Sequence, residues 1–481
     1  MELNRQVAGF FEGVSKAADA IQEAVKEDRY IYVFSHLDAD GIAAAGIIGK
    51  ALHRLDARFR IRITQWVDEK IVNEIVEEKP QMVIFADLGS DYALLLRQKA
   101  PEIKIVVLDH HQIGGDLGDF PLVNPHIYGI DGARDVSSSG IAYFVARAVD
   151  SVNMDLAPIA VVGALGDLQD KYDQRSLGGL NGKIVEDAKN QGLLTVEKDL
   201  IFFGRETRPV HKALASTTNP FIPGISGDEG KSFAFLDSLG IKIKVDDRWR
   251  ALRDLTEEEK RKLCSALADY LVSKGLHYEV LNLIGHVYTL TREDSWTPLR
   301  DAREFAVLLN ATGRMDKPGV GVAICMGDRG ATLEEANKIL EEYRRTINKY
   351  LEWVMEEPGR LKELDNIYVV YGGDRIDDKM VGALSSILST SLPNPEKPLI
   401  ACADVKEEGL VKVSARTVDS VVAKGVNLGE IMQIAAEKCL GKGGGHDVAA
   451  GAQIPTESVE VFIKLVNELV GKRLAGGKVG S

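Results

Sequence analysis

Long apolar runs are missing from this sequence of 481 residues. A membrane-crossing helix needs about 18 consecutive apolar residues, and no such run occurs. The N-terminal region carries charged residues where a signal peptide has its apolar core. We therefore expect a cytoplasmic protein without a membrane-bound part.

Cysteines and aromatic residues are also scarce. The four cysteines, Cys264, Cys325, Cys402 and Cys439, are scattered and form no pair with the spacing of a zinc knuckle or a redox site. Aromatic residues make up 6% of the chain, so the sequence offers no obvious extended platform for stacking nucleobases. Structural zinc and disulfide chemistry are therefore not expected.

Basic residues are outnumbered, with 59 Lys and Arg against 72 Asp and Glu, which gives a formal net charge of −13. This balance argues against non-specific coating of nucleic acid, although a local basic groove remains compatible with it. An excess of carboxylates suits hard divalent cations.

What the sequence does have is alternation of short β-branched runs with helical stretches. Between residues 28 and 170 the pattern predicts strands at 30–34, 58–64, 81–86 and 104–108, separated by helices, which is typical of a parallel α/β sheet. A Pro-, Gly- and Ser-rich stretch near residue 208 and renewed α/β alternation after residue 364 predict further domains. We expect domains at 1–200, 201–360 and 361–481.

Acidic and histidine side chains follow the predicted strands of the first domain. They are His36, Asp38 and Asp40 after the first strand, Asp87 after the third, Asp109, His110 and His111 after the fourth, and Asp167 after a later apolar run. In a parallel α/β sheet the strand ends face one crevice, so these clusters should converge there.

Converging carboxylates repel one another unless protons or cations separate them. A set of Asp and His ligands without thiolate favours Mn²⁺ or Mg²⁺, and this many ligands indicates a two-ion site of the kind that cleaves phosphate esters. Taken singly, each residue also fits a simpler role, as a helix cap, a solvated turn or a buried structural histidine.

The combination of these segments resembles a known family. DAD at 38–40, ADLG at 86–89, DHH at 109–111 and GALGD at 163–167 look like the four motifs of the DHH phosphoesterases. Arg416 and the run Lys442-Gly443-Gly444-Gly445-His446 resemble the glycine-rich motif of the DHH-associated C-terminal domain. SSSG at 137–140 and the long middle section are most similar to archaeal RecJ-like exonucleases.

The resemblance implies a fold and a set of roles. It implies an α/β protein with a parallel-sheet DHH domain, an inserted middle α/β domain and a smaller C-terminal α/β domain, with the active site in the cleft. Asp87 would bridge two Mn²⁺ ions, with Mg²⁺ as the alternative metal. Asp38 would bind one ion, and Asp40, His110 and Asp167 would bind the other. His111 would contact the scissile phosphate, and Asp109 would orient the histidines.

The role of His36 has two interpretations. Many family members place a histidine four residues before the first Asp of DAD, whereas His36 stands two residues before Asp38. His36 is therefore either a metal ligand or a nearby polar group.

Substrate contacts are expected at the C-terminal motif. Gly443, Gly444 and Gly445 would let backbone amides approach an anion, with Arg416 and His446 adding donors. A flexible linker is the alternative interpretation of the glycines. Ser139 would present helix N-terminal amides to a phosphate, and an ordinary N-cap is its alternative.

The resemblance implies a single-strand-specific 5′→3′ exonuclease on DNA, with RNA left open, that releases mononucleotides. It also implies a place in archaeal DNA replication and repair through the GINS complex. Two alternatives remain: a phosphodiesterase for short oligonucleotides or cyclic dinucleotides, and a scaffold protein of the replicative helicase. Hydrolysis of pyrophosphate or polyphosphate is disfavoured by the large middle section.

Overall fold

The computed structural model describes residues 2–90, 92–113, 118–217, 220–389, 392–406 and 408–476. The chain divides into two compact units, Met1–Leu340 and Glu341–Ser481. Among the described residues, no helix is both long enough and apolar enough to cross a membrane. The domain limits expected at residues 200 and 360 stay predictions.

A parallel sheet forms the centre of the first unit. Its strands are β1 (Ile31–His36), β2 (Phe59–Thr64), β3 (Met82–Ala86), β4 (Lys104–Leu108) and β5 (Leu122–Val123). They lie in the order β2-β1-β3-β4-β5, and every pairing is parallel. Strand β3 is fully buried, as expected of a parallel strand covered on both faces. The chain passes from β1 to β2 on one side and then to β3 and β4 on the other. The topological switch point therefore lies between β1 and β3, where doubly wound sheets bind their ligands.

Helices surround this sheet. They are α1 (Glu2–Lys26), α2 (Ala39–Arg54), α3 (Glu69–Glu78), α4 (Ala93–Lys99), α5 (Ser138–Val149), α6 (Ala157–Gly166) and α7 (Gly179–Asn190). Helix α2 is almost entirely buried because it packs against both α5 and α6. It begins where the Asp38 side chain accepts a hydrogen bond from the amide of Gly41.

The rest of the first unit is mainly helical. An antiparallel pair joins β6 (Leu194–Leu200) to β9 (Ile284–Leu290), and a short hairpin joins β7 (Lys244–Val245) to β8 (Arg248–Trp249). The helices are α8 (Val210–Ala215), α9 (Glu229–Ser238), α10 (Glu257–Ser273), α11 (Ala302–Arg314) and α12 (Pro318–Cys325). A separate apolar core, with members such as Phe202, Leu236 and Leu267, holds this part together.

A long helix, α13 (Ala331–Glu356), leads into the second unit, which is built on a mixed sheet. Its strands are β10 (Leu361–Glu363), β11 (Tyr368–Tyr371), β12 (Leu399–Val405), β13 (Leu410–Arg416), β14 (Lys442–Gly445) and β15 (Ala449–Pro455), in the order β10-β11-β12-β13-β15-β14. The helices are α14 (Val381–Ser389), α15 (Asp419–Val422), α16 (Leu428–Lys438) and α17 (Val459–Leu474).

The predicted fold class is confirmed, since a parallel-sheet N-terminal part and a C-terminal α/β part are both present. Two local features differ from the sequence prediction. Strand β5 was not expected, because two residues are too few to make a pattern. The glycine run 443–445 lies in strand β14 and is not a loop, since it pairs with β15 along its whole length.

Candidate metal centre

Strand ends bring the predicted residues together as expected from the sheet topology. Potential ligand atoms lie within 4.8 Å of one another in three overlapping groups. The groups are His36, Asp38 and Asp87; Asp40, His110 and Asp167; and Asp87, His110 and His111. Asp87 and His110 each belong to two of them.

Asp87 occupies the centre of this arrangement. Its side chain is 1% exposed, and neither carboxylate oxygen has a hydrogen-bond partner among the described residues. Its φ of 61° lies in the left-handed region, which non-glycine residues adopt rarely and often at functional sites. A buried carboxylate with two unsatisfied oxygens is costly unless a cation or a proton completes it.

His110 is held in an orientation suited to metal binding. Its Nδ1 lies 2.6 Å from the carbonyl oxygen of Gly132, which can only accept, so Nδ1 carries a proton. The other nitrogen, Nε2, faces Asp87 Oδ1 at 3.4 Å and Asp167 Oδ2 at 3.2 Å. In a neutral imidazole this nitrogen presents a lone pair, and a carbonyl-anchored histidine is typical of metal sites.

Asp40 is anchored by the start of helix α5. One oxygen, Oδ2, accepts from the amide of Ser138 at 2.7 Å, while Oδ1 accepts from the amide of Ser139 at 3.1 Å and from its hydroxyl at 2.5 Å. The helix dipole adds to these bonds, because it favours a negative charge at the N-terminus. Asp40 is therefore fixed in orientation although it is fully buried.

This geometry corrects the prediction for Ser139. The expected contact with a substrate phosphate is wrong, because Ser139 is fully buried and its amide and hydroxyl are both committed to Asp40. The alternative, a helix cap, applies to Ser137, whose hydroxyl accepts from the amide of Gly140 at 3.3 Å.

His36, left open by the sequence, lies inside the cluster. Its Nδ1 is 2.9 Å from Asp38 Oδ2 and 3.5 Å from Asp87 Oδ2. This nitrogen nevertheless has no well-oriented hydrogen bond among the described residues. A single ion could take ligands from all three side chains.

His111 and Asp109 stand at the edge of the cluster. The buried Asp109 carboxylate accepts hydrogen bonds from the His111 ring nitrogen Nδ1 at 2.8 Å and from the Ser90 hydroxyl at 2.6 Å. Each of its two oxygens therefore already has a hydrogen-bond partner. Asn124 also fixes this segment by donating to the His111 carbonyl at 2.9 Å. The His111 side chain is 50% exposed, which leaves its remaining face open to a substrate.

The electrostatics of the cluster favour a bound cation. Burial and the carboxylates of Asp167 and Asp87 raise the pKa of Asp40, and burial likewise raises the pKa of Asp167. Burial opposes protonation of His110, but Asp167 and Asp87 outweigh it and raise its pKa well above the usual value. Protons thus offset the repulsion in the metal-free protein, and divalent cations can take their place.

Two contacts from other segments complete the site. The amide of Ala39 donates to Asn310 Oδ1 on α11 at 3.1 Å. Gln169 donates to the Gly132 carbonyl at 2.9 Å, the same oxygen that holds His110. Gln169 was not predicted from the sequence, where its only signal is its position two residues after Asp167.

In the second unit the residues of the predicted anion site share one end of β15. Arg416 on β13 is the register partner of Ala449, and the His446 amide donates to the Ala449 carbonyl at 2.8 Å. Arg416 Nε also donates to the Ser386 hydroxyl at 2.9 Å. Gly443 is required by packing, because a Cβ there would lie 2.4 Å from the Met432 carbonyl oxygen on α16.

Family models match three segments of the chain. The DHH family N-terminal domain matches residues 30–164, the DHH-CID domain 202–284 and the DHHA1 domain 365–472. An uncharacterised protein of Methanocaldococcus jannaschii is 32% identical over 470 residues, covering 96% of this chain and 98% of that protein. The chain belongs to the DHH family. The family predicted from the sequence motifs is thereby confirmed.

Other relatives of this DHH-family chain are RecJ-like. The single-stranded-DNA-specific exonuclease RecJ of Bacillus subtilis is 24% identical over 178 residues, which is 34% of this chain and 22% of that protein. A Mn²⁺-bound RecJ structure from Thermus thermophilus matches with a TM-score of 0.60 at 17% identity, over 96% of this chain and 55% of that one. The chain therefore spans about half the length of the Thermus protein.

A further solved structure has the same fold. CDC45 from Entamoeba histolytica matches with a TM-score of 0.62 at 13% identity, covering 96% of this chain and 99% of that one. At such identities the likeness concerns the fold alone. RecJ structures from Thermus thermophilus hold Mn²⁺ in one case and Mg²⁺ in another, and the donor set described above suits either ion.

Proposed function

We propose that this chain is a two-metal phosphodiesterase that shortens single-stranded nucleic acid from its 5′ end and releases mononucleotides. The observation that carries the proposal is the buried Asp87 carboxylate. Its two oxygens have no hydrogen-bond partner within the described part of the chain, and it belongs to two groups of potential ligands. Such a carboxylate is suited to bridging two cations. DNA is the proposed substrate, with RNA as a second one to be tested.

The metal ligands follow from the groups around Asp87. We assign His36 and Asp38 to one ion and Asp40, His110 and Asp167 to the other, with Asp87 shared. Divalent ions held there would supply the chemistry of a two-metal phosphodiesterase, namely activation of water and neutralisation of charge on the phosphate. Mn²⁺ is the proposed ion, and Mg²⁺ fits the same oxygen-rich set.

His111 and Asp109 would orient the substrate phosphate. The half-exposed His111 is placed to donate a hydrogen bond to the scissile phosphate or to its leaving oxygen. Asp109 fixes the His111 ring through Nδ1, so that Nε2 is the nitrogen available to the substrate. Asp109 is a positioning residue, because both of its oxygens are already bonded.

Substrate capture is assigned to the second unit. Arg416, His446 and the backbone of Gly443, Gly444 and Gly445 would hold a phosphate, with β14 at the edge of its sheet. A place for the active site in the cleft between the end domains stays a prediction. So does the partnership with the GINS complex in replication and repair.

A scaffold role in a replicative helicase is the second candidate, because the fold matches a CDC45 structure over nearly its whole length. A pure scaffold has no need of a carboxylate cluster. The presence of all the predicted metal ligands in one cluster supports an enzyme, and a scaffold role is compatible with it.

A cleavage time course tests the proposal. Single-stranded DNA oligomers of about 30 nucleotides, labelled at either end, are incubated with Mn²⁺ or with EDTA beside matching RNA and a dinucleotide. We expect Mn²⁺-dependent release of mononucleotides from the 5′ end of the long strand. Cleavage of the dinucleotide alone would indicate a short-oligonucleotide hydrolase, and no cleavage in any sample would favour the scaffold.

The serines at the start of α5 give a matched pair of variants. Ser139→Ala removes the hydroxyl bonded to Asp40, so Mn²⁺ affinity measured by calorimetry should fall by about tenfold. Ser138→Ala is the control, because its amide bond to Asp40 remains and its hydroxyl has no partner among the described residues. Equal affinities for the two variants would remove Ser139 from the metal site.

Arg416→Lys tests the anion site. Lysine keeps the charge but lacks the planar guanidinium fork, so we expect about a tenfold loss of affinity for an oligonucleotide with a 5′ phosphate. Mn²⁺ affinity should not change. If phosphorylated and unphosphorylated strands lost affinity equally, Arg416 would not be the group that holds the terminal phosphate.

A further inference from the structure

Two exposed tryptophans face one cleft in the first unit, away from the metal ligands. Trp249 is 44% exposed and Trp296 is 42% exposed, although large aromatic side chains usually lie in the core. Both line a cleft of about 1290 Å³ whose other walls include Lys242 and Arg248. The two residues are 47 positions apart in the sequence, so only the fold brings them to the same cleft.

Trp296 is held in place by a buried ion network. Its φ of 67° is in the left-handed region, which is unfavourable for a bulky residue. The buried Glu206 carboxylate compensates, because it accepts from the Trp296 amide at 3.4 Å and pairs with Arg253 and, at 3.6 Å, with Arg300. The Arg253 guanidinium also lies 5.0 Å from the centre of the indole ring. Strain of this kind persists where the surroundings impose it, often for function.

Trp249 is presented by the hairpin of β7 and β8. The ring of His211 supports it at 5.6 Å between centroids, and the ammonium of Lys244 lies 4.3 Å from the indole centre. His211 is 8% exposed, and its Nδ1 has no hydrogen-bond partner among the described residues. The lysine is exposed and flexible, so it can move from the ring to a phosphate when a base approaches.

Individual cations beside the tryptophans are available to the phosphates of a strand that is held mainly by stacking. Lys242, Lys244 and Arg248 are exposed and form no ion pair with a carboxylate in the described residues. The cleft lining as a whole is not basic, because Asp246, Asp247, Asp254 and Glu259 stand against Lys242, Arg248 and Arg250. Base stacking therefore has to supply most of the binding. Aromatic rings next to unpaired cations are the usual composition of a single-strand platform, on which bases stack and phosphates meet Lys or Arg.

The segment that holds Trp296 is connected to the candidate metal centre through helix α11. The Glu206 amide donates to the buried Glu304 carboxylate on α11 at 2.8 Å. Asn310, six residues further along the same helix, accepts from the Ala39 amide beside the metal ligands. Six residues span about 9 Å of an α-helix, so one rigid element connects both places.

We propose that Trp249 and Trp296 form a base-stacking subsite that holds single-stranded nucleic acid at nucleotides away from the cleaved bond. This inference rests on the proposed function, since it names a second contact for the same substrate. The subsite binds bases without sequence preference and needs no metal ion. The competing occupant, a segment of a partner protein, is an outcome of the test.

Binding in EDTA separates this subsite from catalysis. The full chain is titrated against a fluorescent thymidine oligomer of about 30 nucleotides and an abasic oligomer of equal length, with anisotropy as the readout. The wild type should bind the oligomer with bases more tightly. Trp249→Leu and Trp296→Leu should each weaken that binding by about tenfold and bring the two affinities together.

Tyr371→Leu is the matched control, because Tyr371 is a 40% exposed aromatic residue of the second unit that does not line the cleft. Thermal unfolding checks that each variant is folded, and if one tryptophan variant does not fold, the other decides. If both folded variants bind the oligomer as tightly as the wild type, the subsite is refuted and a protein partner becomes the better occupant. If the variants bind normally and the wild type still cleaves with Mn²⁺, only the stacking subsite is refuted. If the wild type neither binds nor cleaves the oligomer, the proposed function is refuted as well.

Discussion

Replacement of Asp87 by Asn is expected to reduce hydrolysis of a single-stranded oligonucleotide by at least about 10³-fold. The carboxylate that we propose as the shared ligand would supply several kcal/mol of charge stabilisation through the ions. Asn has the same shape and tolerates the left-handed backbone found at Asp87, where φ is 61°. The fold should therefore persist. Initial rates with saturating Mn²⁺ measure the effect.

The same replacement should increase the thermal stability of the metal-free protein, although it decreases hydrolysis. Without metal, the buried Asp87 carboxylate repels Asp40 and accepts no hydrogen bond from any residue that the structure describes, so Asp87→Asn should raise the melting temperature in EDTA. Added Mn²⁺ should stabilise the wild type, by about 2.7 kcal/mol at a concentration of 100 Kd, and should stabilise the variant less. Two opposite changes in one variant distinguish loss of a ligand from general damage to the fold.

Asp155→Asn is the control for this experiment. Asp155 pairs with Arg54 at 2.7 Å and does not belong to the cluster, so its replacement should leave both hydrolysis and the response to Mn²⁺ unchanged. If Asp87→Asn turned over like the wild type in Mn²⁺, Asp87 would not be a shared ligand.

His111→Gln should lower kcat by about 10²- to 10⁴-fold, the usual range for loss of a positioned proton donor. The number of Mn²⁺ ions bound and their affinity should change little, because His111 is half exposed and its Nδ1 is held by Asp109. Single-turnover kinetics and calorimetry measure the two properties separately.

The matched control is the exposed His53 on α2, whose change to Gln should affect neither property. An alternative role for His111 is also testable, since it lies in a group of potential ligands with Asp87 and His110. Equal losses of metal binding and of kcat in His111→Gln would make it a ligand and remove it from proton donation.

Much of the metal centre could be predicted because it depends on local patterns. Buried strands of Val and Ile are visible in the sequence, and parallel strand ends must meet at one edge of a sheet. The convergence of residues after β1, β3 and β4 follows from these two facts. The assignment of each residue to one ion stays a prediction.

Other features depend on contacts between distant segments. Ser139 and Asp40 are separated by 99 positions, so nothing in SSSG reveals that its amides serve a buried carboxylate. The glycine run at 443–445 resembles a loop because glycine is common in loops, but it forms a strand, and close packing against α16 requires the glycine at position 443. From the sequence alone Trp296 fits either base stacking or a place in the core, and only the fold shows that it shares a cleft with Trp249.

Anomalous scattering at the manganese edge, from crystals of the full chain grown with Mn²⁺, tests the central claim most directly. We predict two anomalous peaks that both adjoin Asp87, one beside Asp38 and one beside Asp40, His110 and Asp167. Asp87→Asn crystals should lose at least one of them. A protein that cleaves single strands with one peak, or with none at Asp87, would contradict the two-metal account.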